Sequence, residues 1–131
     1  MNFSKQNIRY IYLTAGNLGN NHLYLSEIIN FFPKDSLGES SKDKGLGKEL
    51  KLIIDGLDFP VYSDIAKDKK IFRKRVWGKF FNIHQLEVGD EIAIEKIDDC
   101  SFHIYPTKKR LQKNIGYAGK IKKIYKVQKK N

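Results

Sequence analysis

The sequence predicts a mainly β chain, a seven-stranded open pseudobarrel with two short helices and mostly antiparallel pairing. Three observations lead there. The apolar segments are short and rich in β-branched and aromatic residues, turn signals recur roughly every 8–12 residues, and only two segments have helical spacing. Across 131 residues, 40% are apolar and 12% aromatic, enough to build a core.

Ile8 to Thr14 (Ile-Arg-Tyr-Ile-Tyr-Leu-Thr) reads as the first strand. Ala15 to His22 holds two glycines and three asparagines, favours no regular element, and is expected to be an exposed loop. Leu23 to Phe32 predicts a passage from strand to helix. Ser26 serves as its cap, Glu27 suits the first turn, Ile28, Ile29 and Phe32 form its apolar face, and Pro33 stops it. Lys34 to Gly47 is almost without apolar residues and predicts a surface loop.

Leu50 to Asp55 and Phe59 to Ser63 predict two strands joined by a Gly56-Leu57-Asp58 turn, with Pro60 favouring an edge or a bulge. A charged connection, Asp64 to Lys70, leads to a strand over Ile71 to Trp77. Gly78 to Gln85 fits a short helix burying Phe80, Phe81 and Ile83. Val88-Gly89-Asp90-Glu91 turns the chain into a strand at Ile92 to Ile97, and the acidic turn Asp98-Asp99 joins it to the last, Ser101 to Tyr105. The expected core is Tyr12, Ile28, Phe32, Ile53, Phe80, Ile92, Ile94 and Phe102.

Charge divides the chain into a body, residues 1–106, and a tail, residues 107–131. The body holds 15 Lys and Arg against 15 Asp and Glu. The tail holds 10 basic residues and no acid, so the net charge of +10 lies there. Such a tail attracts polyanions, nucleic acid foremost, although it can equally be a solubilising end. One cysteine, Cys100, excludes an internal disulfide framework, and with three scattered histidines it leaves no zinc signature. No apolar run reaches the roughly 20 residues of a membrane span, and no signal peptide precedes the first charge. The expectation is a cytoplasmic domain with no cofactor, no metal and no membrane partner.

Chemistry concentrates in two stretches. From Lys67 to Lys79 there are seven basic residues (Lys67, Lys69, Lys70, Arg73, Lys74, Arg75, Lys79) and one acid, Asp68. On a strand, Arg73 and Arg75 share one face and Phe72, Lys74 and Val76 the other. Two guanidinium forks so placed suit guanine edges or phosphates; a solvated basic edge that deters aggregation is the plainer alternative. The second stretch, Asn17 to His22, offers amides that can pair with adenine and glycines that allow close approach to a phosphate.

An enzyme is harder to assemble. Asp55 or Asp58 with Asp68-Lys69-Lys70 is the nearest thing to a metal-dependent nuclease set. No Ser-His-Asp order is present, His84 and His103 fall in apolar contexts that favour packing, and Cys100 beside an acidic turn lacks what would lower a thiol pKa.

Three stretches together resemble the plant-type "B-three" DNA-binding pseudobarrel, which also supplies recognition domains to bacterial type II restriction endonucleases. Leu13-Thr14-Ala15-Gly16-Asn17 followed by Leu25 to Pro33, ending Phe31-Phe32-Pro33, is similar to the family's first strand, recognition arm and helix. Phe72 to Trp77 with Gly78-Lys79-Phe80-Phe81 is similar to its second arm and following helix, with Trp77-Gly78 inverting the family's order. Leu86-Glu87-Val88-Gly89-Asp90-Glu91-Ile92 resembles its Leu-x-x-Gly-Asp turn. The resemblance covers roughly residues 8–105.

It implies sequence-specific binding of double-stranded DNA, two arms gripping the major groove. The first arm would map onto Thr14, Asn17, Asn20, Asn21, His22 and Tyr24. The second would map onto Asp64, Lys67, Lys69, Lys70, Arg73, Arg75 and Trp77, with Lys69, Arg73 and Arg75 as the main contacts. It further implies a monomeric recognition domain without catalytic residues, serving a nuclease domain or subunit elsewhere. The alternative is a small RNA-binding β-barrel driven by the Lys-rich tail, for which exposed aromatics would speak; the body's aromatics are expected to point inward.

Overall fold

The structure, a computed structural model, describes residues 7–108. The basic tail therefore lies outside the described residues beyond Lys108. Alternating apolar residues build eight strands: β1 (Ile8–Tyr12), β2 (Leu37–Gly38), β3 (Leu50–Ile54), β4 (Val61–Ser63), β5 (Ile65–Ala66), β6 (Ile71–Phe72), β7 (Glu91–Asp98) and β8 (Ser101–Pro106). Two short α-helices, α1 (Ala15–Asn20) and α2 (Trp77–Ile83), lie between them. The strands form two open sheets, ordered β1-β7-β8-β3-β4 and β2-β5-β6. A mainly β pseudobarrel is thus what the chain forms, with one strand more than the seven expected.

Two strands were not expected, β2 inside the segment read as loop and β5 inside the Asp64 to Lys70 connection, while the strand part of the Leu23 to Phe32 passage is reduced to a single bridge at Tyr24. β2 pairs in parallel with β5, Leu37 opposite Ile65 and Gly38 opposite Ala66. A second parallel pairing joins β3 to β8; the other pairings, including the long-range one of β1 with β7, are antiparallel, as expected for most of the sheet. The β3–β8 pairing sets Leu52 beside Phe102 and Ile54 beside Ile104, all four facing the core. Burying a side chain of this size contributes about 1.5–3 kcal/mol.

Strand alternation corrects part of the expected core. β1 turns Ile11 inward and Tyr12 outward, 62% exposed, and β3 buries Leu52 and Ile54 and leaves Ile53 at the surface. Ile28 is only partly buried, and in α2 Phe80 and Phe81 are buried but Ile83 is exposed. The aromatic core runs Phe31, Phe102, Phe32, Phe72, Trp77 and Phe80 through successive ring contacts of 4.9–5.7 Å. The Leu86 to Ile92 turn is pinned to β1: Leu13 O accepts from Gly89 N at 2.7 Å, and Leu13 N donates to Asp90 O at 2.9 Å. Gly89 turns at φ +92°, a conformation that disfavours side chains.

Three local expectations are corrected. Ala15–Asn20 is helical rather than loop, because Thr14 and Asn17 form a capping box. Ser26–Phe31 is a 3-10 turn whose N-cap is Leu25, so Ser26 does not cap it. The strand expected over Ile71 to Trp77 ends at Phe72; Arg73 and Lys74 form a bend, and the helix begins at Trp77. The shared strand face of Arg73 and Arg75 does not exist.

Candidate nucleic-acid interface

The first arm is a capped turn of helix and its exit. Thr14 Oγ1 accepts from Asn17 N at 3.2 Å, while Asn17 Oδ1 accepts from Thr14 N at 2.7 Å and from Thr14 Oγ1 at 2.9 Å. Asn17 Nδ2 donates to His22 O at 3.1 Å, so one amide ties both ends of the arm together. Asn21 leaves the helix in the left-handed conformation, φ 56°, which asparagine tolerates. Asn20 Nδ2 donates to the Tyr24 hydroxyl at 2.9 Å, and the rings of His22 and Tyr24 meet edge to face at 5.8 Å.

Backbone bonds join this arm to the second. Tyr24 bridges Ile71, and Leu25 N donates to Lys70 O at 2.8 Å. Lys70 itself turns at φ 55°. Two clefts open along the junction. The smaller, about 320 Å³, is lined by Asn20, Asn21, His22, Arg75, Trp77, Gly78 and Lys79. The larger, about 540 Å³, is lined by His22, Lys69, Ile71, Arg73, Lys74 and Arg75 of the two arms, by Ser63, Asp64 and Ala66, and by Ser40, Lys42, Leu46 and Glu49 of the segment between β2 and β3. His22 and Arg75 belong to both.

The closeness has an electrostatic consequence. Burial, then the charges of Lys69 and Arg75, hold the His22 imidazole below its ordinary pKa, so its neutral form prevails near pH 7. A neutral imidazole is both donor and acceptor, which suits a base edge. Lys69, Arg75 and Lys79 make no salt bridge among the described residues and stay available to an anion.

Arg73 differs. Its Nε donates to Asp64 Oδ1 at 2.7 Å and its Nη2 to Asp64 Oδ2 at 2.9 Å and Glu39 O at 2.8 Å. Gly47 N donates to the same Asp64 Oδ2 at 2.8 Å. Arg73 is an internal clasp, and Asp64, 3% exposed, is its counter-charge. Three residues expected to contact DNA are thus turned inward: Asp64, Asn17 (2% exposed) and Trp77 (1% exposed), which stacks on Phe72. The Trp77 Nε1 has no hydrogen-bond partner among the described residues. Lys67 binds Glu39 at 3.1 Å, Thr14 caps α1, and Lys70 is partly buried in its turn.

Sequence reasoning missed Gly78, which borders the smaller cleft with Lys79. A side chain at Gly78 would meet the Asn21 amide, at 3.0 Å from its Cγ. The signal available was Lys79 closing the basic run. Of the aspartates of the nuclease alternative, Asp55 and Asp58 follow β3, and Asp68 follows β5. Among the described residues no group of three or more His, Cys, Asp or Glu could hold a metal ion, and no helix is long and apolar enough to cross a membrane. Both histidines pack as expected, His84 against Phe80 with ring centroids 5.0 Å apart and His103 against Tyr105 at 4.6 Å, and each also makes a polar contact, His84 Nε2 with Asp55 O at 2.8 Å and His103 Nε2 with Asp55 Oδ1 at 2.7 Å.

No family model matches the chain, and no curated protein matches its sequence. In fold the chain is similar to the N-terminal domain of Helicobacter pylori LlaJI.R1, with a TM-score of 0.50 over 76% of this chain and 85% of that one. Identity is 7%, so the likeness is one of fold.

Proposed function

We propose that this chain is a sequence-specific double-stranded DNA-binding domain of the B-three type, the target-recognition part of a restriction system. One observation carries the reading: two polar segments about fifty residues apart in sequence, ending at His22 and beginning at Lys69, meet at a shared cleft and set around one imidazole cations that make no ion pair among the described residues. Arg75, Lys69 and Lys79 supply charge for phosphates or guanine edges, while Asn20, Asn21 and His22 supply neutral groups for bases. The fold likeness to the N-terminal domain of Helicobacter pylori LlaJI.R1 supports the same reading. The domain is read as non-catalytic, with any nuclease on another domain or subunit, and residues 107–131 as adding salt-sensitive phosphate affinity.

Selection of bound duplexes from a random pool at about 150 mM salt tests this, because phosphate-only binding is weak there. Recovery of a short motif is the expected result. Recovery of unenriched DNA would overturn sequence-specific reading by the arms.

Exposed aromatics favour a second reading, RNA binding. Tyr10, Tyr12 and Tyr62 stand on the outer face of the large sheet, contrary to the inward expectation. Yet this face is acidic. The Tyr12 hydroxyl bonds Glu91 and lowers that carboxyl's pKa, Tyr105 donates to Glu95 at 3.3 Å, and Asp55 pairs with His103. Carboxylates among the rings repel a phosphate backbone. Competition by single-stranded RNA stronger than by duplex DNA would favour this reading.

A further inference from the structure

The loop between β2 and β3 has no part in a two-arm grip, yet it forms one wall of the larger cleft. Its sequence, Glu39 to Glu49, has glycines, serines and lysines and little to bury. It is nevertheless held at several points. Arg73 Nη2 donates to Glu39 O, Gly47 N donates to Asp64 Oδ2, Glu39 N donates to Gly45 O at 2.8 Å, Lys48 N donates to Asp35 O at 2.7 Å, and Lys67 binds the Glu39 carboxylate. Gly38 and Gly47 are required by this clasp: a side chain on Gly38 would overlap Asp64 and Gly47, and one on Gly47 would overlap the Ser36 backbone.

We propose that this loop is a third DNA-binding element, holding a phosphodiester backbone against the second arm, with Lys42 as its cation. The proposal rests on the double-stranded DNA reading. Lys42 lines the same cleft as Lys69, Lys74 and Arg75, which come from the second arm. Of the acids on the cleft, Asp64 is neutralised by Arg73 and only Glu49 opposes the positive walls. A polyanion entering the cleft meets cations from both the loop and the second arm. Leu46, 55% exposed on the same wall, offers an apolar contact for a sugar. The clasp matters energetically, because a contact on a pre-ordered loop avoids the ordering cost that a mobile loop would incur on binding.

The test measures affinity of the full chain for a random-sequence duplex longer than one helical turn, from about 50 to 200 mM salt. Lys42→Ala, Lys69→Ala and Arg75→Ala are compared with Lys51→Ala, which removes the same charge from the outer sheet face. All four side chains reach solvent and none holds the core together, so each variant folds. The expected result is that Lys42→Ala weakens binding several-fold and lowers the salt slope by about 1, while Lys51→Ala leaves the slope unchanged. If Lys42→Ala matches Lys51→Ala while the arm variants weaken binding, the third contact is overturned and the two-arm reading survives. If no variant departs from Lys51→Ala, both fall.

Discussion

Arg73 and Asp64 form a two-pronged ion pair that joins the second arm to the β2–β3 loop, with the Arg73 side chain 17% and the Asp64 side chain 3% exposed. The pair places two arginines of one short basic run in opposite roles. Arg73 is held inside the protein, and Arg75 is presented at its surface.

Arg73→Ala is therefore expected to act on stability. It leaves Asp64 buried without its counter-charge, a loss of roughly 2–4 kcal/mol once the partial exposure of Arg73 is allowed for. Arg75→Ala should leave the urea midpoint unchanged and cost about 1–3 kcal/mol of DNA affinity if it reads a base. Equal midpoints for the two variants would contradict this division.

The same pair sets an acid dependence. Burial raises the Asp64 carboxyl pKa, but the hydrogen bonds from Arg73 and Gly47 N outweigh it and hold the pKa below the usual value. A lowered folded pKa means stability fully present above the unfolded carboxyl's pKa of about 3.9 and lost as pH falls through the lower folded one. Asp64→Asn should thus lower stability at neutral pH and flatten its decline in acid. An unchanged acid limb in denaturant titrations would refute the assignment.

His22 makes a spectroscopic prediction. Its imidazole should titrate below about 6.5 by NMR, and Lys69→Ala or Arg75→Ala should move the midpoint upward by removing a repelling cation. Because the folded pKa is lowered, the contribution of His22 to stability is complete above the unfolded pKa and declines as pH falls through the folded one. A midpoint unmoved in both variants would mean that the arms do not meet at this ring.

Asn17→Ala should cost about 1–2 kcal/mol, since it removes the capping box and leaves the His22 carbonyl without its amide. Its DNA affinity should fall as well, because the helix exit carrying Asn20 to His22 loses its anchor. Asn20→Ala should lower affinity and leave stability within about 0.5 kcal/mol. Thermal melts and binding measured on both variants separate a residue that builds the arm from one that uses it.

In the sequence alone, the class of fold, most hairpins and the division of charge were legible. Short runs such as Leu50 to Ile54 and Ile92 to Ile97 carry their own periodicity, and turns such as Val88-Gly89-Asp90 carry their own backbone preference. The two chemically rich stretches were legible too, as concentrations of Asn and of Lys and Arg. Which of their members face outward was decided only by the tertiary structure. Arg73 and Arg75 are alike in sequence, and Asn17 is chemically identical to Asn20. Distant Asp64 and Glu39 draw Arg73 inward, and neighbouring Thr14 with the carbonyl of His22 draws Asn17 in. Among the described residues nothing comparable engages Arg75. A polar side chain's role depends on whether the fold brings it a buried partner, and that partner, as with Glu39 and Arg73, can lie thirty-four residues away.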